Sequence, residues 1–331
     1  MRDGDKGGTW APELVRRFKA VLRQRTTGIF LVLVLFVVIG GILSPHFLTT
    51  SNLLNVARQM SIVGIVGVGM TFVILTAGID LSVGSIVGFS AITGAALLSG
   101  GMVWPLACLL AIVAGGLVGA VNGLGITNRG VQPFIMTLAM LVIARGVTMT
   151  YANGQPIPLG DAAADVAWIG SGSFVGIPVP VWILVGVFAV ASFTLRNTRY
   201  GRKVYAVGGN PEAARRSGIN TKRVIFSVYV ISGVCAAISS LIIISRLSSG
   251  TPSMGTGLEL DAIAVVVIGG TSLFGGVGGV GGTMVGAGIV SVLENLLNLL
   301  GVSPFTQQIA KGLIILGAVL LEGRARRMEG I

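Results

Sequence analysis

The chain has 331 residues, of which 53% are hydrophobic and only 11% charged, and its mean hydropathy is +0.90. Soluble globular proteins carry about 25% charged residues, so this composition excludes a water-facing globule and requires an integral membrane protein. The net charge of +11 does not point to nucleic acid, because the basic residues sit in short segments beside apolar runs, the pattern of topology control and anionic-lipid contact.

The apolar runs often reach 16 to 20 residues, which is helical spanning length, whereas barrel strands alternate over about ten. The chain therefore reads as an all-α polytopic membrane protein. Residues 1–27 form a polar, basic leader in which 11–25 are expected to make an amphipathic interfacial helix. Spans are expected at about 28–43, 61–77, 83–99, 103–126 and 133–151, with a polar connection at 46–60. A Gly- and Pro-rich loop without Lys or Arg covers 152–178, and a sixth span covers about 179–195. Further spans follow at about 224–245, 260–270, 283–300 and 304–321, and the polar tail is 323–331. The segment 260–270 is short enough to re-enter rather than cross. The glycines at 269–282 after it are read as a tight turn and close helix packing.

About ten spans put both termini on one side, and the basic residues test that arrangement. With the N-terminus inside, 19 of the 23 Lys and Arg fall on inside segments. Two, Arg58 and Arg246, fall outside, and two, Arg145 and Lys311, lie within spans. This asymmetry is what the positive-inside rule requires of cytoplasmic termini.

The segment 196–223 is the longest charge-dense run in the interior of the sequence and holds eight basic residues. It carries the signals of one short helix. Asn210 is a good N-cap, Pro211 suits the first helical position, Glu212 complements the dipole, and Gly218 can end the helix in a left-handed conformation. A helix of this kind in a basic loop is suited to touching a soluble partner.

No G-x-x-x-x-G-K-[ST] phosphate loop is present, so the chain shows no sign of binding ATP itself. One histidine, His46, and two cysteines in apolar spans give no metal set, and no nucleophile–base pair is available for catalysis. Charged groups at membrane depth are costly and are candidates for a site or pathway. They are Asp80, Arg145, Glu294 and Lys311. Asp80 has two readings, a pathway group or a cap accepting from the amides of Ser82 and Val83. Glu294, Asn295 and Asn298 make a polar face near the outer end of the ninth span, and Asn122 flanks the inner mouth. Each of these either lines a path or packs between helices.

The run E-A-A-R-R-S-G, Glu212 to Gly218, resembles the cytoplasmic loop of bacterial ATP-binding-cassette importer permeases. I-L-T-A-G-I-D-L-S-V-G-S (74–85), N-R-G-V-Q-P-F-I-M-T-L-A-M (128–140), the segment 201–220 and G-T-G-L-E-L-D-A-I-A-V-V-V-I-G-G-T-S-L-F-G-G (255–276) are similar to the monosaccharide branch, in one register over residues 28–322. The stretch 246–261 leans toward ribose; xylose, galactose, inositol, an autoinducer sugar or a branched-chain amino acid are the alternatives, with a self-contained secondary transporter further away. The resemblance implies a dimer in the bacterial inner membrane, two cytoplasmic ATPase subunits that bind ATP-Mg, and a periplasmic binding protein. It implies that Asn210, Pro211, Glu212, Ala213, Ala214, Arg215, Arg216 and Gly218 form a helix that docks on the ATPase. Arg58 and Arg246, isolated positive charges on the outside, are expected to pair with acidic residues of the binding protein, with lipid headgroups as the alternative, and the polar residues at membrane depth, Asp80, Asn122, Glu294, Asn295 and Asn298, are the candidates for the path.

Overall fold

The computed structural model describes residues 25–313 and 316–317. Apart from Arg25, the interfacial helix expected over 11–25 lies outside the described residues, as does the tail with Arg324, Arg326 and Arg327.

Helix α1 is Arg25–Leu43 and α2 is Thr50–Leu75. The polar connection expected at 46–60 is thus largely helical. Thr49 caps α2 by accepting from the Asn52 amide (3.4 Å), and Asn52, Asn55 and Arg58, three apart, share one side of the first turns. Next come α3 (Val83–Ser99), α4 (Trp104–Arg129) and α5 (Pro133–Tyr151), the last two opened by Pro in the first turn. The expected loop 152–178 holds a helix, α6 (Ala162–Gly170), and three two-residue strands, β1 (Ile157–Pro158), β2 (Ser173–Phe174) and β3 (Ile177–Pro178). α7 is Val179–Asn197. The segment 196–223 contains two helices rather than one, α8 (Arg199–Gly209) and α9 (Pro211–Arg216). α10 is Thr221–Leu247, followed by β4 (Ser249–Gly250), α11 (Leu258–Ile268) and α12 (Val280–Leu299). Residues 304–313 are again helical. β1 pairs antiparallel with β4 (Ile157 opposite Gly250) and β2 with β3.

Six described helices are long and apolar enough to cross a membrane: α2, α4, α5, α7, α10 and α12. α3 and residues 28–43 are shorter apolar helices. α2 is the axis of the fold, with every residue from Ser61 to Leu75 buried. α10 packs antiparallel to it, Ser239 donating to the Ile62 carbonyl (3.0 Å) and Gly69 lying against Ser232 and Cys235. α4 seats on α10 through Gly115, Gly119 and Gly123. A side chain at Gly123 would meet the Phe226 backbone at 3.0 Å, and one at Gly119 would strike the Tyr229 carbonyl. In a bilayer, where burial between helices gains little from leaving water, such close backbone approach is what holds helices together. The outer faces of α4, α5 and α7 expose Leu106, Leu109, Leu117, Val142, Ile143 and Phe193, as lipid contact requires.

α10 runs from a level with the C-terminal part of α4 to a level with the start of α2. One end of the bundle therefore carries Arg129, α8, α9 and the turn 269–279. The other carries Arg58, Arg246 and α6, where Gly170 N donates to Ser245 Oγ at 2.9 Å. Trp104 and Trp168 meet edge to face at 5.8 Å, and Trp182 stacks similarly on Phe174 at the same end.

Between α10 and α11 the chain does not turn back at the end of the bundle. Gly250 lies against Ala91 and Ala95 of α3, and Gly255 against Gly84 and Val87. Residues 248–257 thus descend along α3 without helical structure, and α11 starts inside the bundle. Its 11 residues span only about 16 Å, about half of a hydrocarbon core.

Candidate functional site

α9 forms as its sequence dictates. Asn210 Oδ1 accepts from the amides of Glu212 (3.1 Å) and Ala213 (2.9 Å), and Pro211 occupies the first turn. The C-terminus closes in a Schellman arrangement: Gly218 N reaches Arg215 O (3.0 Å), Ile219 N reaches Ala214 O (3.0 Å), and Gly218 has φ of 82°. Pro211, Glu212, Ala213, Arg215, Arg216 and Gly218 are exposed. Ala214 is not: it is buried against a cluster that includes Val204, Val207 and Leu195, so it anchors the helix rather than meeting a partner. Arg216 pairs with Glu212 one turn away at 2.5 Å, with both side chains mostly exposed. Exposed pairs of this spacing contribute only about 0.3–0.5 kcal/mol, so a partner carrying its own charges can displace it.

α8 is the element the sequence concealed. Glycine disfavours a helix interior, so Gly201 and the pair Gly208–Gly209 give no helix signal of their own. In the fold Thr198 caps the helix by accepting from Gly201 N (3.1 Å), and Gly201, Val204, Val207 and Gly208 bury one face. The glycines are there for approach: a side chain at Gly208 would overlap the Leu75 carbonyl at the end of α2. That carbonyl accepts from Gly276 N (3.0 Å), and Tyr205 Oη donates to Gly278 O (2.9 Å). Burial raises the Tyr205 phenol pKa, and the nearby Arg196 guanidinium opposes that rise. The turn 269–279 is a tight, closely packed turn, with Gly275, Gly276 and Gly278 at positive φ. α9 is thereby tied through α8 to the C-terminus of α2 and to the turn that opens α12.

Asp80 is fully buried and behaves as a turn-stabilising acceptor. Its Oδ1 accepts from Ser82 N (3.0 Å) and Ser82 Oγ (2.6 Å), and its Oδ2 from Ser232 Oγ of α10 (2.8 Å). The second expected donor, the Val83 amide, is replaced by these hydroxyls. Asn122 joins the same network, donating to Ser82 Oγ (2.8 Å). The polar face Glu294, Asn295 and Asn298 is divided among separate partners. Asn295 exchanges two hydrogen bonds with Asn52 (2.8 and 2.7 Å), Asn298 accepts from Gln307 (2.8 Å), and Glu294 pairs with Lys311.

The family described as the branched-chain amino acid transport system permease component matches residues 52–321. The chain belongs to this permease family. It is 46% identical to the ribose import permease protein of Haemophilus influenzae over 304 residues, 91% of this chain and 93% of that protein. It is also 46% identical to the ribose import permease proteins of Escherichia coli K12 (88% and 92% covered) and Bacillus subtilis (89% and 92%). The D-allose transport system permease protein of Escherichia coli is 38% identical and the L-arabinose ABC transporter permease protein of Azospirillum brasilense 36%. No solved structure matches the chain.

In this permease the intramembrane charges meet partners that sequence spacing concealed. Lys311 lies between Glu294 and Asp261, 2.9 Å from Asp261 Oδ1, and Gln59 Nε2 donates to Glu294 (3.3 Å). Arg145, about two turns before the end of α5, donates to the carbonyls of Pro252 (2.6 Å), Met254 (2.8 Å) and Gly84 (3.3 Å). The signal was present: a lone Lys or Arg inside a span demands acceptors, and Glu259 and Asp261 were carboxylates left in an apolar stretch. Arg58 donates to Asn55 (3.0 Å), and Arg246 is exposed; both stand at the end opposite α9.

Proposed function

We propose that this chain is the permease subunit of an ATP-driven importer that moves a monosaccharide, ribose first, across the bacterial inner membrane. The observation that carries the reading is the 46% identity with three ribose import permeases over about nine-tenths of each chain, against 38% and 36% for the allose and arabinose permeases. In this reading the chain crosses the membrane about ten times with both termini cytoplasmic, and residues 28–322 form the permease domain. It works as a homodimer with two ATPase subunits that bind ATP-Mg and with a periplasmic sugar-binding protein.

The mechanism follows from the connections of α9. In this reading the energy of ATP reaches the chain through another subunit that pushes it. α9 is capped at both ends, so it transmits a displacement instead of fraying. α8 lies against the Leu75 carbonyl and the turn before α12, so closure of the ATPase pair shifts the ends of α2 and α12 together. Glu212 and Arg216 exchange their mutual pair for groups on the ATPase, and Arg215 adds a second cation. Arg58 and Arg246 meet acidic residues on the two lobes of the binding protein.

The test is reconstitution of the permease with its ATPase and binding protein in proteoliposomes. Ribose is expected to stimulate ATP hydrolysis and to accumulate only with ATP and binding protein present. Accumulation by the permease alone under an ion gradient, or stimulation by another sugar and not by ribose, overturns the reading at the level of mechanism or of substrate respectively.

A further inference from the structure

The descent of residues 248–257 into the bundle has a physical consequence. Backbone that is not helical leaves N–H and C=O groups unpaired, and at membrane depth it persists only where it is buried in protein or lines a wet cavity. Both conditions hold here. Arg145 lies twelve residues from the start of α5 and six from its end, within the spanning length of the helix, and it takes up the carbonyls of Pro252 and Met254. The other side of the same segment borders a cavity of about 370 Å³.

That cavity opens at the end of the bundle opposite α9. Its polar lining is Gln59 of α2, Arg246 of α10, Thr256 of the descending segment and Asp261 of α11, set among Ile62, Ile243 and Leu258. Its volume is within the range of about 300–1,000 Å³ found for small-molecule sites. The chemistry matches a neutral polyhydroxylated molecule. Asp261 accepts from hydroxyls, Arg246 donates to them, Gln59 and Thr256 do both, and the aliphatic side chains meet the C–H faces. Among the described residues no aromatic ring lines it, so it offers no stacking platform of the kind a tight sugar site has and suits a molecule that must leave again. Breaks between an unwound segment and a short helix near the membrane midplane are places where transported substrates are held.

We infer that the cavity between residues 255–258, Gln59, Arg246 and Asp261 is a transient subsite for the incoming monosaccharide, entered before the path opens to the far side. The inference rests on the reading of the chain as a sugar importer, and it separates substrate passage from docking and from ATP hydrolysis.

The experiment uses the complete complex of permease, ATPase and sugar-loaded binding protein in proteoliposomes, with labelled ribose uptake and ATP hydrolysis measured on the same vesicles. Three variants alter the cavity in different ways. Gln59→Leu and Thr256→Val each remove hydrogen-bonding capacity, and Ile243→Phe fills space without removing any. In Gln59→Leu and Thr256→Val the ribose moved per ATP hydrolysed is expected to fall about fivefold, the effect of losing one hydrogen bond of about 1 kcal/mol, and in Ile243→Phe it falls because the ring occupies the space of the sugar, while stimulated hydrolysis stays within about twofold in all three. An unchanged ratio in all three variants overturns the inference, whether both rates hold steady or fall together; falling together assigns the residues to docking or assembly. Failure of the unaltered complex to take up ribose instead removes the importer reading itself.

Discussion

Lys311 illustrates how a single residue is decided by its surroundings. Alone in an apolar helix it would be costly, yet it is held between Asp261 and Glu294, all three side chains at most a quarter exposed. Removing the cation leaves two half-desolvated carboxylates facing each other, and breaking a buried pair in this way costs about 3–5 kcal/mol. Lys311→Met is therefore expected to lower the thermal unfolding midpoint of the detergent-solubilised permease clearly, while Lys311→Met with Asp261→Asn and Glu294→Gln recovers much of the loss. A midpoint unmoved by the single substitution would show that the pair is solvated. Asp80 is the opposite case, a carboxylate satisfied without any cation by Ser82 and Ser232. Asp80→Ala strands the Ser82 amide and two hydroxyls, at about 1–3 kcal/mol for each unsatisfied buried group. It should reduce the yield of folded permease more than Asp80→Asn does, measured as the monodisperse fraction after solubilisation.

At the scale of elements, α8 and α9 act as one unit because each is too short to stand alone. Six residues make little more than one helical turn, so α9 depends on its cap and on Ala214 buried beneath it. Asn210→Ala removes the two bonds that close its N-terminus, a loss of about 1 kcal/mol. The expected outcome is a lower yield of permease–ATPase complex on co-purification, restored by Asn210→Asp, with membrane insertion unchanged. Gly208 tests the next joint. A side chain there overlaps the Leu75 carbonyl, so Gly208→Leu should pry α8 from α2. Ribose uptake should then fall more steeply than ATP hydrolysis; equal losses would mean that α8 transmits nothing.

For the molecule as a whole, the two ends of the bundle differ in charge. Arg129, Arg196, Arg199, Arg202, Lys203, Arg215, Arg216, Lys222 and Arg223 gather at the end with α9, while Arg58 and Arg246 stand at the other. That separation is the three-dimensional counterpart of the positive-inside rule. It leads to the expectation that a reporter fused at Gly278, in the turn packed on α8, reads cytoplasmic; a periplasmic signal would reverse the orientation of α11 and α12. At the opposite end, Arg58→Glu with Arg246→Glu should weaken association with the loaded binding protein about tenfold and reduce its salt dependence. Unchanged affinity would remove these arginines from docking.

What the sequence determined alone was set by forces that act locally or through composition. Hydropathy made this a helical membrane protein, because unpaired backbone groups cannot face lipid. The caps at Asn210 and Gly218 set the limits of α9, and the matched segments between 74 and 276 carried the family. What only the tertiary structure decided were pairings between residues far apart in the chain: Lys311 with Asp261, 50 positions away, and Asn52 with Asn295, 243 away. α8 was hidden because its glycines, destabilising in an isolated helix, are required where two backbones touch. The descent of 248–257 was hidden for a related reason. A non-helical segment of turns can lie at membrane depth only once α3 covers it and Arg145 supplies donors to its free carbonyls, and neither can be read from residues 248–257 themselves.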